Sequence, residues 1–167
     1  MEATYTLCDE TLKTQCRFVD FSGYDPASRG QELPAFYGAA TMDNFVYYGG
    51  NNPWNDDELS TLDGLDEYLY AHYPSVKVTE HWGALTGEFS DSFSIGLYIP
   101  DSEHMLAGVY GTVTEQTENP DISNPTSYLA GEKEMLFQSF DPIEYDFYIT
   151  TGTVNEVRNI FKSIARS

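Results

Sequence analysis

Short segments in which apolar and polar residues alternate follow one another along most of the chain, and turn-forming residues separate them. Such alternation is typical of a half-buried β-strand, because successive side chains of a strand point to opposite faces of a sheet. Eight or more short strands with turns between them favour an antiparallel β-sandwich. The predicted strands cover residues 4–7, 15–21, 32–40, 44–49, 76–88, 93–99, 105–114, 127–130, 133–137 and 145–151.

Two segments carry a helical pattern instead. In residues 59–72 leucines recur at helical spacing, which predicts a short helix or a loop with one helical turn. Near the end of the chain, Thr153 and Glu156 have the spacing of a capping box, and the residues up to 165 place apolar side chains on one face. The predicted fold class is therefore all-β with minor helix: an antiparallel β-sandwich with one short mid-chain helix and one C-terminal helix.

The segment 76–88 is the best candidate for a central strand, and it carries Glu80, His81 and Trp82 in succession. In a continuous strand Glu80 and Trp82 share one face with two valines, and His81 lies on the other. A face that changes from apolar to polar and aromatic is expected where a core gives way to a cleft. We therefore expect a sugar site at the end of this strand.

The charge of the chain limits its partners. With 27 acidic and 8 basic residues, the 167-residue chain has a formal net charge of −19, and 41% hydrophobic residues make its composition globular. We expect no nucleic-acid partner and no docking on an anionic membrane, since both need a cationic surface. A neutral oligo- or polysaccharide, a cationic partner or calcium is compatible with this charge, although solubility alone is its simplest explanation.

The chain has no run of about 18 apolar residues, so no transmembrane helix is predicted. Its first residues lack the basic start and apolar stretch of a signal peptide, and they already form a predicted strand. We expect residues 1–167 to be a single β-sandwich domain, or a part excised from a larger protein. If that larger protein is a secretory precursor, the expected location is secreted or extracellular. The sequence does not indicate an oligomeric state.

Cysteine and acidic residues give no cofactor motif. Cys8 and Cys16 can form a disulfide across a hairpin, or they can be two reduced core cysteines. Acidic residues at 56–58 and 141–146 are compatible with calcium, but neither group has the spacing of a dedicated calcium loop. A solvated acidic face is the simpler interpretation, and we expect no cofactor.

Glu32 and Glu80 are the candidate catalytic residues. Glycoside hydrolysis requires two carboxyl groups, of which one donates a proton. Glu32 enters a predicted strand, and its alternative role is a surface ion pair with Arg29. The alternative for Glu80 is a strand-end carboxylate held by backbone N–H groups or by His81.

Aromatic and polar residues near these acids form the candidate binding surface, because the apolar C–H faces of sugars stack on aromatic rings. Trp54 lies in the glycine- and asparagine-rich loop 49–57, and its alternative role is to fold back over one open end of the sandwich. The histidine in this set is more often structural than catalytic when it stands alone. The predicted substrate-binding residues are Tyr37, Asn52, Trp54, His81 and Trp82.

Four segments, 29–37, 47–54, 80–85 and 148–158, together resemble a β-sandwich region of secreted bacterial and fungal carbohydrate-active proteins. The nearest class is the supersandwich domain of the galactose-mutarotase-like proteins. The resemblance spans residues 17–160 and implies a mainly antiparallel sandwich associated with polysaccharide handling. It assigns no catalytic residue, and a full domain of that class is larger than this chain.

Three functions are compatible with these observations. The first is a carbohydrate-associated β-sandwich domain, which binds polysaccharide or is part of a glycan-active module. The second is a glycoside hydrolase or lyase that uses Glu32 and Glu80 as its acid pair. The third is a non-enzymatic structural or assembly module, in which unpaired edge strands mediate contacts.

Overall fold

A computed structural model describes residues 1–39, 41–62, 75–87, 93–110 and 126–167. These residues form two sheets, in which every strand pairing is antiparallel. The elements are β1 (Glu2–Cys8), β2 (Thr11–Val19), β3 (Ala27–Ala39), β4 (Asn44–Tyr47), β5 (Ser60–Leu62), β6 (Ser75–Lys77), β7 (Trp82–Thr86), β8 (Ser94–Tyr98), β9 (His104–Tyr110), β10 (Thr126–Phe137), β11 (Pro142–Gly152) and α1 (Val154–Ala165). The strand orders are β1-β2-β11-β8-β7-β4-β5 and β3-β10-β9-β6. The predicted antiparallel sandwich with a C-terminal helix is confirmed.

The seven-stranded sheet is the middle of three layers, with α1 on one face and the four-stranded sheet on the other. Strand β7 is buried along its whole length because alternate side chains enter the two apolar clusters on either side. Between the sheets lie Met42, Phe45, Val78, Leu85, Leu97, Ile99, Met105, Ala107 and Leu129. Between the helix and the seven-stranded sheet, with side chains from both, lie Val46, Trp82, Ala84, Tyr98, Val154, Val157 and Phe161.

Helix α1 begins as the sequence predicts. Thr153 Oγ1 accepts a hydrogen bond from the Glu156 backbone N–H at 3.3 Å, and the Glu156 carboxylate accepts one from the Thr153 N–H at 2.8 Å. The capping box is therefore confirmed. The helix lies close to β8 because Gly96 has no side chain there: a Cβ atom would lie 2.3 Å from Cγ1 of Val157.

The prediction of one central strand over residues 76–88 was wrong. Strand β6 belongs to the four-stranded sheet and β7 to the seven-stranded sheet, and the chain crosses between the sheets in a turn. His81 has a φ of 60°, and its N–H donates to the Val78 carbonyl at 3.1 Å. Glu80 and Trp82 therefore do not share the face of one strand. The apolar alternation continues through the turn because Val78 enters the core between the sheets.

Other differences arise from strand pairing that local patterns do not reveal. Residues 60–62 pair with β4 as β5 and are not helical, whereas residues 63–72 of the predicted helix lie outside the described residues. The two strands predicted at 127–130 and 133–137 are one strand, β10, with a register shift between Ala130 and Glu132. Its pairing with β3 extends β3 back to Ala27. The predicted strand residues 40, 88 and 111–114 lie outside the described residues.

The cysteines lie in the predicted hairpin of β1 and β2, but they do not face each other. Cys8 is opposite Thr11, and Cys16 is opposite Ala3. Both thiols are free; that of Cys8 is exposed and that of Cys16 is buried. Within the described ranges, no helix is long and apolar enough to cross a membrane.

Candidate functional site

Glu80 is completely buried and forms the centre of a polar cluster. Its Oε1 accepts hydrogen bonds from the Trp54 N–H at 2.6 Å and from Nη2 of Arg158 at 2.7 Å. Its Oε2 accepts from Nε1 of Trp82 at 2.8 Å and from Nε of Arg158 at 3.0 Å. Four donors thus compensate one buried carboxylate, as burial of a charge requires. Glu80 joins the loop 49–57, β7 and α1.

Arg158 completes this cluster from the helix. Its guanidinium lies over the Tyr48 ring, 5.1 Å from the centroid, and its Nη1 donates to the Asp57 carbonyl at 2.9 Å. The Tyr48 hydroxyl donates to Oδ2 of Asp57 at 3.1 Å. Burial raises the pKa of Tyr48, so its neutral form is favoured. The cluster therefore holds the loop 49–57 against α1.

Trp54 folds back over the sandwich, which is the alternative role that the sequence left open. It is half-buried, packs against the apolar cluster under α1, and meets the Tyr98 ring edge-on with centroids 6.2 Å apart. Trp82 is fully buried in the same cluster. The two indole rings therefore lie on the helix side of the seven-stranded sheet.

Asn52 and His81 take part in turn contacts. The Asn52 N–H donates a hydrogen bond to the Tyr48 hydroxyl oxygen at 3.3 Å. His81 Nδ1 lies 2.9 Å from the Ser102 carbonyl oxygen. These two residues belong to the same end of the molecule as the Glu80 cluster.

The remaining predicted residues lie on the face of the four-stranded sheet that points away from the core. Met105 and Leu129 are buried between the sheets, so their neighbours on β9 and β10 point outward. The strand register then aligns a row of four polar side chains across the sheet, those of Glu32, Glu132, His104 and Lys77. The aromatic pair of Tyr37 and Tyr128 lies two rows away on the same face. We name as the outer face the residues Glu32, Tyr37, Lys77, His104, Tyr128 and Glu132.

Tyr128 contacts both Tyr37 and Glu32 on this face. The Tyr37 ring is 61% exposed and meets the Tyr128 ring edge-on, with centroids 5.0 Å apart. Tyr128 is only 6% exposed, and its hydroxyl donates to Oε2 of Glu32. Arg29 donates to the Ser28 carbonyl at 2.9 Å, so the alternative pairing of Arg29 with Glu32 is not what the structure shows. Tyr128 thus links an exposed ring to an oriented, solvent-accessible carboxylate.

Glu132 is the acid directly opposite Glu32. The two are cross-strand partners, whose Cβ atoms in an antiparallel pair are about 5 Å apart. The Ser75 hydroxyl donates a hydrogen bond to Oε2 of Glu132. On the side of β10 opposite β3, His104 of β9 is the cross-strand partner of Glu132. The sequence analysis missed Glu132 and Tyr128, although the alternation of residues 128, 130 and 132 would place them on one face if β10 were read as one strand.

Glu32 and Glu80 are not brought together as an acid pair. Glu32 lies on β3 and Glu80 follows β6, and these strands form opposite edges of the four-stranded sheet. Three strand spacings separate the edges, on the order of 14 Å. Glycosidase carboxyl pairs lie about 5 to 9.5 Å apart. Moreover, the Glu80 carboxylate is completely buried and already accepts four hydrogen bonds from the protein.

Both acidic segments contain carboxylates with cationic neighbours. Asp56 lies 3.5 Å from Nζ of Lys162, and Asp146 lies 3.0 Å from Nζ of Lys13. No group of three or more histidine, cysteine or acidic side chains arranged to hold a metal occurs in the part of the chain that the structure describes.

No protein-family model and no curated protein matches the sequence. Solved structures do match its fold. A protein of Escherichia coli K12, named as a candidate aldose 1-epimerase, superposes with a TM-score of 0.52 over 91% of this chain, at 7% sequence identity. The likeness shows that the two proteins share a β-sandwich fold, as the resemblance to galactose-mutarotase-like proteins implied.

Two further structures match less well. A galactose mutarotase related enzyme of Lactobacillus acidophilus gives a TM-score of 0.41 at 11% identity over 89% of this chain. A Synechocystis sp. PCC 6803 protein gives 0.42 at 9% identity over 90% of this chain. The chain spans 60% of the length of the Escherichia coli protein, 60% of the Lactobacillus protein and 54% of the Synechocystis protein.

Proposed function

We propose that this protein is a carbohydrate-binding β-sandwich domain and that the outer face holds the sugar. The observation that carries the proposal is that Tyr128 contacts both the exposed Tyr37 ring and the Glu32 carboxylate. The exposed Tyr37 ring offers an apolar surface to the C–H face of a sugar, while the Glu32 carboxylate accepts hydrogen bonds from its hydroxyls. The likeness of fold to a protein named for aldose chemistry supports the same assignment.

The electrostatics of the outer face favour a neutral ligand. Glu32 and Glu132 face each other there, and the chain as a whole carries a net charge of −19. An anionic sugar would be repelled both by the adjacent carboxylates and by the whole molecule. A neutral oligo- or polysaccharide is therefore the proposed partner.

The other predicted site residues have a different role in this proposal. Glu80, Trp82 and Trp54 hold the loop 49–57 against α1, on the far side of the seven-stranded sheet. They contribute to the site only through the stability of the scaffold. Tryptophan fluorescence is consequently a poor reporter of binding.

Isothermal titration calorimetry with neutral aldoses and their oligosaccharides tests the proposal. We expect binding by the wild-type chain, and a loss of about tenfold or more in affinity for Tyr37→Ala, which corresponds to about 1.4 kcal/mol. Tyr24→Ala is the matched control, because Tyr24 is also a highly exposed tyrosine but is not part of the outer face. The proposal fails if no neutral sugar binds, or if both variants weaken binding equally.

A second candidate function is catalysis at the same surface, which the cross-strand pair of Glu32 and Glu132 favours. Two neighbouring carboxyl groups, with His104 beside them, are the groups that general acid–base chemistry on a sugar requires. Conversion of a purified anomer or cleavage of an oligosaccharide, followed by NMR, tests this candidate. We expect Glu132→Gln to abolish turnover while calorimetric binding persists; turnover that is unchanged in this variant contradicts the candidate.

A further inference from the structure

Among the described strands, β1, β5, β3 and β6 form the edges of the two sheets, and β1 differs from the other three. Strands β5 and β6 have three residues each, and β3 contains Pro34 beside a register shift. Short strands, prolines and bulges are the features by which proteins protect exposed edges from pairing. Strand β1 has seven residues in unbroken register with β2 and contains no proline.

The register of β1 with β2 determines which backbone groups point to the free edge. Cys8 and Thr11 close a two-residue loop, so they form a hydrogen-bonded pair, and every second residue from Cys8 backward also bonds to β2. The N–H and C=O groups of Ala3, Tyr5 and Leu7 therefore point away from the sheet. Among the described strands, β2 alone pairs with β1.

We propose that two copies of this chain join through β1, antiparallel about a two-fold axis at Tyr5, and form one continuous sheet. In that arrangement Tyr5 faces the second copy's Tyr5, and Ala3 faces the second copy's Leu7. The outward backbone groups of these residues satisfy one another, because each such pair exchanges two hydrogen bonds. The strand is thus complementary to itself in this register.

The side chains on β1 support the same partner. Tyr5 is 67% exposed and Leu7 is also largely exposed, although both lie on the apolar side of the strand. Pairing would place the two Tyr5 rings side by side and cover Leu7 with the second copy's Ala3, and such cross-strand contacts stabilise a sheet. The edge is about 23 Å long, so the interface is small and the dimer is weak.

Charge is also distributed as this interface requires. The chain has a net charge of −19, yet residues 3–8 contain no charged side chain. The proposed contact therefore brings together the uncharged segments of the two β1 strands. The acidic surfaces of the two copies outside this contact repel each other. Since salt screens this repulsion, the dimer is expected to strengthen as the salt concentration rises.

A charge exchange at Tyr5 tests both the interface and its register. Sedimentation velocity is measured for the wild type, for Tyr5→Lys, for Tyr5→Glu and for an equimolar mixture of the two variants. Residue 5 faces itself across the axis, so each variant alone is expected to be monomeric and their mixture to form a heterodimer. Tyr24→Lys is the control for a changed charge on an exposed tyrosine outside β1.

The expected results are a wild-type dimer that increases with salt, a similar dimer for Tyr24→Lys, and recovery of dimer only in the mixture. Thermal unfolding of each variant establishes that it is folded, which is expected because residue 5 is mostly exposed. A wild type that stays monomeric at high salt overturns the proposal. Single variants that dimerise like the wild type, or a mixture that remains monomeric, overturn it as well.

Discussion

At the scale of single residues, Glu80 shows how a buried charge can resemble a catalytic group in the sequence. Its neighbours in the chain, His81 and Trp82, indicate an active site, but its main partner is Arg158, which lies 78 residues away. No local pattern connects the two residues. The sequence therefore indicates Glu80 as a candidate site residue. Only the fold shows that its carboxylate is buried and paired with Arg158.

Replacement of Glu80 by alanine is expected to destabilise the fold by about 3 to 5 kcal/mol, because it leaves the largely buried Arg158 without its counter-charge. The measurement is the free energy of unfolding in urea. Glu144→Ala is the matched control: it breaks the exposed pair of Glu144 with Arg17, at 3.3 Å, and is expected to cost less than about 1 kcal/mol. Equal losses in the two variants would contradict the structural role.

The sequence indicated only some residues of the outer face, and the reason is again a contact between distant segments. Glu32 and Tyr37 lie on the outer face; the sequence indicated Glu32 as a candidate acid and Tyr37 as a ring on which a sugar can stack. Their neighbours Tyr128 and Glu132 come from β10, where Gly131 interrupts the polar and apolar alternation. Gly131 is needed because a Cβ atom there would lie 2.2 Å from Cδ1 of Ile99.

At the scale of elements, the sequence predicts best the segments whose signals are local. Helix α1 has its cap, its acidic first turn and its apolar face within a few residues, and it was predicted correctly. Segment 76–88 has the alternation of one strand, but it belongs to two sheets, because the turn at His81 is determined by packing on both sides. Pairing with β4, which is distant in sequence, likewise makes residues 60–62 a strand.

The contact between α1 and β8 depends on Gly96. We expect Gly96→Ala to destabilise the protein by about 1 to 3 kcal/mol, because the added methyl group would overlap Val157 and Phe161. Gly30→Ala is the control, since a Cβ atom there meets no other atom within 4 Å. Chemical unfolding of both variants checks this prediction, which is contradicted if Gly96→Ala is as stable as the wild type.

The cap of α1 predicts a dependence of stability on pH. Hydrogen bonds from the backbone N–H and then the hydroxyl of Thr153 lower the pKa of Glu156 below its ordinary value of 4.5. The ionised carboxylate therefore contributes stability that is complete above that ordinary value and is lost as the pH falls through the lowered pKa.

Glu156→Gln keeps the capping geometry but removes this titration. We expect the difference in unfolding free energy between the wild type and Glu156→Gln to shrink as the pH is lowered from 6 to about 3. Urea unfolding at a series of pH values gives this difference. A difference that stays constant over the range would show that the Glu156 carboxylate does not contribute through its charge.

At the scale of the whole molecule, the arrangement of three layers separates the buried charged cluster from the proposed binding face. The charged cluster of Glu80 and Arg158 and both tryptophans lie on the helix side, whereas Glu32, Tyr37, Tyr128 and Glu132 lie on the outer face of the other sheet. Alternation predicted the sandwich because it is a property of each strand. The order of strands decides which residues meet, and alternation carries no information about that order.

The most direct test of the account is a titration of ¹⁵N-labelled protein with a neutral sugar, followed by two-dimensional NMR. We predict that the amide signals that shift belong to β3 and β10 around Tyr37 and Glu132, and that the two indole N–H signals, of Trp54 and Trp82, stay in place. Shifts centred on the indole signals, or no shift with any neutral sugar, would contradict the assignment of the outer face as the binding site.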